Sequence, residues 1–410
     1  MEGSRGASAV AGDLPGLSGR VLQAMARRIR HGTLTIQIND HHSMIRGEAA
    51  GPEAHLRLHR PWAFLTRLWG HGALGLGESY LAGHWETDDL TALLELLAVN
   101  EPYLGRSTRP NALARSRLLL EHRGNRNNHR GSRRNIAAHY DLGNAFYREW
   151  LDDTMTYSSA LFEVPDVALE AAQNRKYQRI LDRLDLSPGD HILEIGCGWG
   201  GLAIAAARRG ARVTGLTLSQ EQLAYARERV TELRLDEAID LRLQDYRDVT
   251  GHFDHVVSIE MFEAVGEEYW PTYFESVARS LRPGGRAALQ VITIDEDWYQ
   301  QYRSTPDFIQ RYVFPGGMLP TVEQFTRIAG ATGLKVADMG FFGEHYARTL
   351  RRWHQQFLDA LHRVEELGYD QHFQRIWRYY LSYCEAGFRI GRINLMQTTL
   401  QKPHEAACSR

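Results

Sequence analysis

Lysine is nearly missing from this chain: of 48 basic residues only Lys176, Lys335 and Lys402 are lysine, and the rest are arginine. Cysteine is scarce as well. Cys197, Cys384 and Cys408 show no ligand-like spacing, so neither a metal site nor a disulfide framework is expected, and a reducing cytoplasm is. No apolar run approaches the roughly 18 to 20 residues of a membrane span. Net charge is also lacking, at -2 for 410 residues, which excludes a global polyanion-binding signature. The first twenty residues are rich in Gly, Ser and Ala and lack the apolar core of a signal peptide. Residues 1–19 therefore read as a disordered tail.

What is present is an ordinary globular composition, 43% apolar, in a chain long enough for two or three domains. Residues 20–105 read as a small N-terminal α/β domain. "GRVLQAMARRI" is an amphipathic helix, "GTLTIQI" and "HLRLH" have strand character, and "DLTALLELLAVN" is a helix opened by Asp89. Residues 106–134 read as a basic linker, with nine arginines (106, 109, 115, 117, 123, 126, 130, 133 and 134) against Glu121 alone. Such a segment is either a solvated connector or a contact for phosphate groups. It lacks the interleaved aromatics that would favour nucleic acid, so no nucleic-acid partner is expected.

From Asn135 to residue 402 strands alternate with helices, the pattern of a parallel, doubly wound sheet. "HILEIGC", "ARVTGLTL", "IDLRLQD", "HVVSIEM" and "GRAALQVITI" are the strands. An irregular insertion follows Asp295, then a strand near Leu334–Met339, then helical lid elements from Ala347 to about Thr399.

"LEIGCGWGGLAIAAA" is a strand, a glycine-rich turn and a helix. Gly196, Gly198 and Gly201 have dinucleotide spacing, and Gly200 belongs to the same turn. Glycines there allow a tight turn and a close backbone approach to a ligand. The next strand ends in "GLTLSQEQ", without the acid that a nicotinamide ribose needs. Glu194 on the first strand, Asp245 in "LQDYRDV" and the "LRPGG" stretch instead match a Rossmann-like methyltransferase that uses S-adenosylmethionine.

The chain resembles the cyclopropane-fatty-acyl-phospholipid synthase family, including its mycolic acid and tuberculostearic-type fatty acid methyltransferases. The resemblance rests on "GALGLGESYLAGHWETDDL", "AHYDLGNAFYREWLDDTMTYSSALF", "LEIGCGWGGLAI", "GLTLSQEQ", "MFEAVG", "FPGGMLP" and "YLSYCEAGFR", from about residue 20 to 400. It implies that Tyr157, Ser158, Gly196, Gly198, Thr217, Leu218 and Gln222 hold the cofactor, with Tyr246 against its adenine. The implied substrate is an unsaturated acyl chain in phospholipid at a membrane surface. Methyl transfer to an alkene creates a carbocation, and proton loss from the new methyl closes a cyclopropane. Tyr157, Phe262, Tyr302 and Tyr346 are candidate aromatic stabilisers of that cation.

Relatives hold a bicarbonate ion as the base. The resemblance implies that Glu263, Ile292 and Tyr346 match three of its partners. Ser159 stands in the place of a Cys and Gln290 in the place of a His. Of the two acids in "VVSIEMFEAVGEEYW", Glu263 is expected to orient the base and Glu260 to face a neighbouring helix or solvent. Cys384 matches a cysteine sometimes assigned to the active site, although the chemistry needs no thiolate. A second outcome uses the same cation. A hydride shift before deprotonation leaves a methylene branch, which a separate reductase would saturate. A catalytically inactive lipid-binding relative is a third reading, and the intact glycine turn and Glu263 argue against it. Further expectations are docking on anionic lipid at the inner membrane face and a homodimer.

Overall fold

The computed structural model describes residues 9–10, 12–105, 110–111, 115–116, 124, 126–140, 142–164 and 166–404, without the side chains of 9–10 and 137–140. Arg106, Arg109, Arg117, Arg123 and Cys408 lie outside the described residues. The chain folds as two compact units. One takes residues within 1–121, 304–308 and 368–390, and the other takes 122–303, 309–367 and 391–410.

The first unit has a five-stranded sheet in the order β1-β3-β2-β4-β5: β1 Ala9–Val10, β2 His31–Ile38, β3 His41–Arg46, β4 Ala49–Leu58 and β5 Trp85–Glu86. β1 pairs antiparallel with Met44 and Ile45, so the expected tail begins to take part in the fold by residue 9, and a helix starts at Gly16. Strand β3 went unread, because "HHSMIR" buries only Ser43 and Ile45. The helix Gln371–Arg389, expected within the catalytic domain, packs in this unit against the helix Leu90–Val99. Its Glu385 accepts a hydrogen bond from the Thr91 hydroxyl at 3.1 Å, and its Tyr379 ring lies 4.3 Å from Phe308.

Asn100 is the polar staple of this unit. It is fully buried, its Oδ1 accepts from the Arg30 and His31 amides at 2.7 and 3.0 Å, and its Nδ2 donates to the His31 and Leu96 carbonyls.

The second unit holds a seven-stranded sheet in the order β11-β12-β10-β9-β6-β7-β8. The strands are β6 His191–Ile195, β7 Arg212–Thr217, β8 Ile239–Leu243, β9 Phe253–Ile259, β10 Leu281–Ile294, β11 Lys335–Phe341 and β12 Ile393–Gln401. β10, β9, β6, β7 and β8 run parallel, as their near-continuous apolar sequences imply. Successive residues point to opposite faces. Leu193 and Val256 enter one core, while Ile192 and Val257 enter the other.

Three expectations are corrected in this unit. Residues 393–401 are a strand rather than the end of a helical section, and β12 runs antiparallel between β10 and β11. The insertion after Asp295 contains two helices, Glu296–Ser304 and Phe308–Tyr312. The expected linker ends early, because a helix begins at His129 with Asn127, Gly131 and Asn135 buried.

Asn100→Ala would strand three backbone groups, Arg30 N–H, His31 N–H and His31 C=O. Urea denaturation of the full chain should then show a loss of about 2–4 kcal/mol, and a loss below about 1 kcal/mol would refute this account of the staple.

Candidate active site

The strand order reverses between β6 and β9, where parallel α/β sheets place their ligands. A cavity opens there, walled by the glycine turn, the "TYS" loop, the ends of β7 and β8 and the end of β9. Gly196, Gly198 and Gly200 all have positive φ, which lets the chain turn tightly after β6. A Cβ on Gly201 would lie 2.5 Å from the Tyr177 hydroxyl, so the helix after the turn can start there only with glycine.

Of the residues expected to hold the cofactor, Tyr157, Ser158, Glu194, Gly196, Gly198, Thr217, Leu218, Gln222, Asp245 and Tyr246 all line this cavity. Gly200 does not line it; it caps the helix Gly201–Ala207 in a left-handed conformation. Ser219 caps the next helix and Thr217 donates to Gln222 Oε1 at 2.9 Å, so "TLSQEQ" fixes the Gln222 amide. Both Asp245 oxygens are held by Arg247, at 2.8 and 2.6 Å. Burial alone would raise this carboxyl, but Arg247 outweighs it and holds the group below its usual range.

Sequence reasoning missed several groups. Ser132 and Ile136, assigned to the linker and to the residues just after it, line the cavity, as do Met155, Tyr177 and Trp199. The helix Leu169–Asp182 holds the "TYS" loop. Gln173 donates to the Ser158 carbonyl at 2.8 Å, and Lys176 donates to the Ser158 hydroxyl at 2.6 Å. Lys176 is fully buried. Its rank as one of three lysines in an arginine-rich chain was the available signal.

The largest departure concerns the two acids after β9. Glu260, expected to face a neighbouring helix or solvent, lines the cavity and gathers three of the groups expected around the bicarbonate. Its Oε1 accepts from the Ser159 backbone N–H at 2.8 Å and from Gln290 Nε2 at 2.7 Å. Its Oε2 accepts from the Tyr346 hydroxyl at 2.6 Å. Ser159 contributes its amide, because its hydroxyl turns to the Ala160 carbonyl. The orientation of Gln290 is fixed from behind. Arg179 donates to Gln397 Oε1 at 3.0 Å, and Gln397 Nε2 donates to Gln290 Oε1 at 2.8 Å. A guanidinium has only donors, so each amide in the relay must present its nitrogen toward Glu260.

Glu263 accepts from the Ile292 N–H, and among the described residues its Oε2 is buried without a hydrogen-bond partner. Burial pushes its carboxyl up to about 8, with the Glu260 charge adding to the shift. Burial also raises the Glu260 carboxyl, against the Tyr346, Ser159, Lys176 and Gln290 contacts.

Among the aromatic candidates, Tyr157 lines the cavity within 5.3–5.5 Å of Tyr147, Trp150 and Trp353. Phe262 instead packs in the core against Trp270, Tyr273 and Phe325, and Tyr302 packs on the same core. Cys384 lies in the first unit, on the helix Gln371–Arg389, whereas the cavity is lined by the second unit alone. Burial raises its thiol well above the usual range, which disfavours a thiolate.

The cavity fits the expected cofactor. Glu194 Oε2 is buried without a hydrogen-bond partner, an acceptor suited to an ammonium group, and the glycine turn leaves room beside it. Sheet order, glycine turn and acid together define an S-adenosylmethionine-dependent methyltransferase. A family model described as mycolic acid cyclopropane synthetase matches residues 127–398. A tuberculostearic acid methyltransferase of Mycobacterium tuberculosis is 43% identical over 365 residues, covering 86% of this chain and 84% of its own. The cyclopropane-fatty-acyl-phospholipid synthase of Escherichia coli is 36% identical over 355 residues, 85% of this chain and 88% of its own. A crystal structure of mycolic acid cyclopropane synthase CmaA1, complexed with SAH and CTAB, superposes with a TM-score of 0.62 at 32% identity, over 66% of this chain and 98% of that one. The chain belongs to the mycolic acid cyclopropane synthetase family of methyltransferases.

Burial pushes the Glu194 carboxyl up to about 8, with Lys176 opposing the shift. The acid must lose its proton before it pairs with the cofactor's ammonium. Cofactor affinity should therefore rise with pH up to about 8 and fall again above it, where the α-ammonium, which ordinarily titrates at about 8, loses its own proton. Glu194→Gln should lose the rising limb and, near about pH 8, roughly 10- to 100-fold in affinity, the scale of a hydrogen bond to a charged group. Equilibrium dialysis with labelled cofactor reads both, and a pH-independent wild type would sink the assignment.

Proposed function

We propose that this enzyme transfers a methyl group from S-adenosylmethionine to the double bond of an unsaturated acyl chain carried in phospholipid, giving a methylene-branched product that a separate reductase saturates. The observation that carries this reading is the Glu260 carboxylate on the wall of the cofactor cavity, hydrogen-bonded by Ser159, Gln290 and Tyr346.

When bound, the cofactor supplies an electrophilic sulfonium methyl. Glu194, Gly196, Gly198, Thr217, Leu218, Gln222, Asp245 and Tyr246 are the residues that would hold it. Tyr157 lines the cavity, where an aromatic ring favours a cation in the acyl chain. Glu263 braces the backbone of β10 through Ile292, and the charge of Glu260 helps to hold its carboxyl up.

The branched outcome is favoured over the ring by two observations. The relative at 43% identity is named for tuberculostearic acid. The groups around the base differ from a Cys and His pair, with Ser159 giving a backbone N–H and Gln290 a neutral amide. Ring closure, the outcome in the name of the Escherichia coli relative, is the second reading.

Among the described residues no helix is long and apolar enough to cross a membrane. We place the enzyme in the cytoplasm, docked on the inner membrane face, with a homodimer as the default assembly. Arg130, Arg133 and Arg134 are exposed for an anionic surface, whereas Arg126 is engaged by Glu268.

Purified protein, cofactor with a deuterated methyl and vesicles of monounsaturated phospholipid should yield labelled acyl chains with vinylidene carbon signals in NMR. Ring-proton signals alone would replace the branched reading with the cyclopropane one. Cofactor binding without any transfer would overturn acyl methylation itself. Vesicle binding should fall steeply with salt and with removal of anionic lipid, at roughly 1 kcal/mol per basic residue near the surface. Salt-insensitive docking would refute the role of the arginines.

A further inference from the structure

Resting on the acyl-methylation reading, we infer that the Glu260 carboxylate is itself the proton acceptor, a base built into the chain at the place where the family resemblance puts a bound bicarbonate.

The residues present do not fit a bicarbonate ion. Of the five positions implied to hold one, Ser159, Gln290 and Tyr346 direct their donors onto Glu260. The Ile292 N–H is engaged by Glu263. Glu263, the fifth, is committed through one oxygen to that same N–H. A planar carboxylate already sits at the convergence of three donors, supplied by a side chain two residues after Ser258.

The backbone supports the same assignment. Glu260 has φ +50°, in the left-handed region that residues with a Cβ seldom adopt. Strain of this kind persists where the surroundings over-determine it, and it clusters at functional sites. Here the strained residue ends the central strand β9, its N–H donates to the Gln290 carbonyl at 2.8 Å, and its side chain turns into the cofactor cavity. A purely structural acid would not need to line that cavity. Burial raises the carboxyl's proton affinity, which suits a base that must take a proton from carbon.

The step balances without a co-reactant. The alkene π pair forms the new C–C bond to the methyl, and the S–C pair leaves on sulfur as a thioether. The chain then bears a carbocation. After a hydride shift from the methyl-bearing carbon to the cationic one, Glu260 takes a proton from the transferred methyl, and the released C–H pair forms the C=CH2 double bond of the methylene branch. Glu260 ends as the carboxylic acid and returns its proton to solvent. If the C–H pair closes on the first cation instead, the same proton transfer gives a ring, so the assignment of the base does not depend on which product forms.

Two variants and one ion test it. In carbon-dioxide-free buffer the wild type should turn over at full rate, and added bicarbonate should leave that rate unchanged. Glu260→Gln should lose about 10²-fold or more in turnover, with cofactor affinity changed less than about threefold. Glu260→Gly removes the acid and relieves the left-handed strain, so it should fold, lose turnover and regain part of it when bicarbonate or formate is added. Labelled bicarbonate followed by carbon NMR should bind the Glu260→Gly variant and not the wild type. Wild-type turnover that requires bicarbonate, bicarbonate binding to the wild type, or near-normal turnover of Glu260→Gln would each overturn the proposal. The NMR measurement stands even if no acyl chain is methylated, so failure of the proposed function and failure of this base are read separately.

Discussion

A carboxylate held out of bulk water at the end of the central strand is the constraint around which the second unit is arranged. Leaving such a group unpaired in the interior costs several kcal/mol, so its donors must be brought to it. They come from positions 159, 290 and 346, and from 397 and 179 behind them. The sheet order makes that convergence feasible. β10 lies beside β9, and β12 lies beside β10, so Gln290 and Gln397 face each other across one antiparallel register. Tyr346 arrives on the helix Gly343–Asp359, whose Thr349 and His345 also pin the loop that carries Ser159. Loop, helix and three strands are thereby tied to one anionic point.

Charge balance follows from the same point. Glu260, Asp152 and Glu194 all act on the single buried ammonium of Lys176, whose proton affinity burial lowers to about 7 and these carboxylates support. The amine also lies 4.5 Å over the face of Tyr177. A chain that uses arginine almost everywhere places lysine here for a geometric reason. Ammonium is a compact point charge on a thin stem, whereas a guanidinium presents five donors in a wide plane that this interior would have to satisfy. Once ionised, these acids outnumber the one ammonium, an excess of negative charge that suits a cationic cofactor and a cationic reaction intermediate.

The fold was largely legible because parallel strands buried on both faces give near-continuous apolar runs, and the glycine turn marks where the first of them ends. β12 was not legible. "INLMQTTLQ" is buried at six successive positions and follows a long helix, so no strand alternation separates it from helical continuation. The cofactor wall was legible through local motifs, since Tyr157, Thr217 and Gln222 are placed by their own turns and caps. Glu260 was not, for a physical reason. Glu260 and Glu263 are three residues apart, and which one turns inward depends on a left-handed residue and a short 3-10 turn at Phe262–Ala264. Neither is encoded by hydrophobic period. The relay through Gln397 and Arg179 is set by long-range strand pairing and has no local signature at all.

A tethered base also bears on the choice of product. Ring closure and methylene formation both remove a proton from the transferred methyl, so they compete through the time the cation waits and the direction from which the base approaches. A change of 1.4 kcal/mol in relative barriers alters the ratio tenfold. A diffusible anion can settle among its donors wherever the cation draws it. The Glu260 carboxylate cannot, because one oxygen is shared between Ser159 and Gln290 and the other is taken by Tyr346. Its hydrogen bonds weaken it as a base and fix its line of approach, while burial strengthens it. On the proposed assignment, a base slowed by three donors and fixed in direction would leave time for the hydride shift, which would connect the geometry of one left-handed glutamate to a branched rather than a cyclic chain.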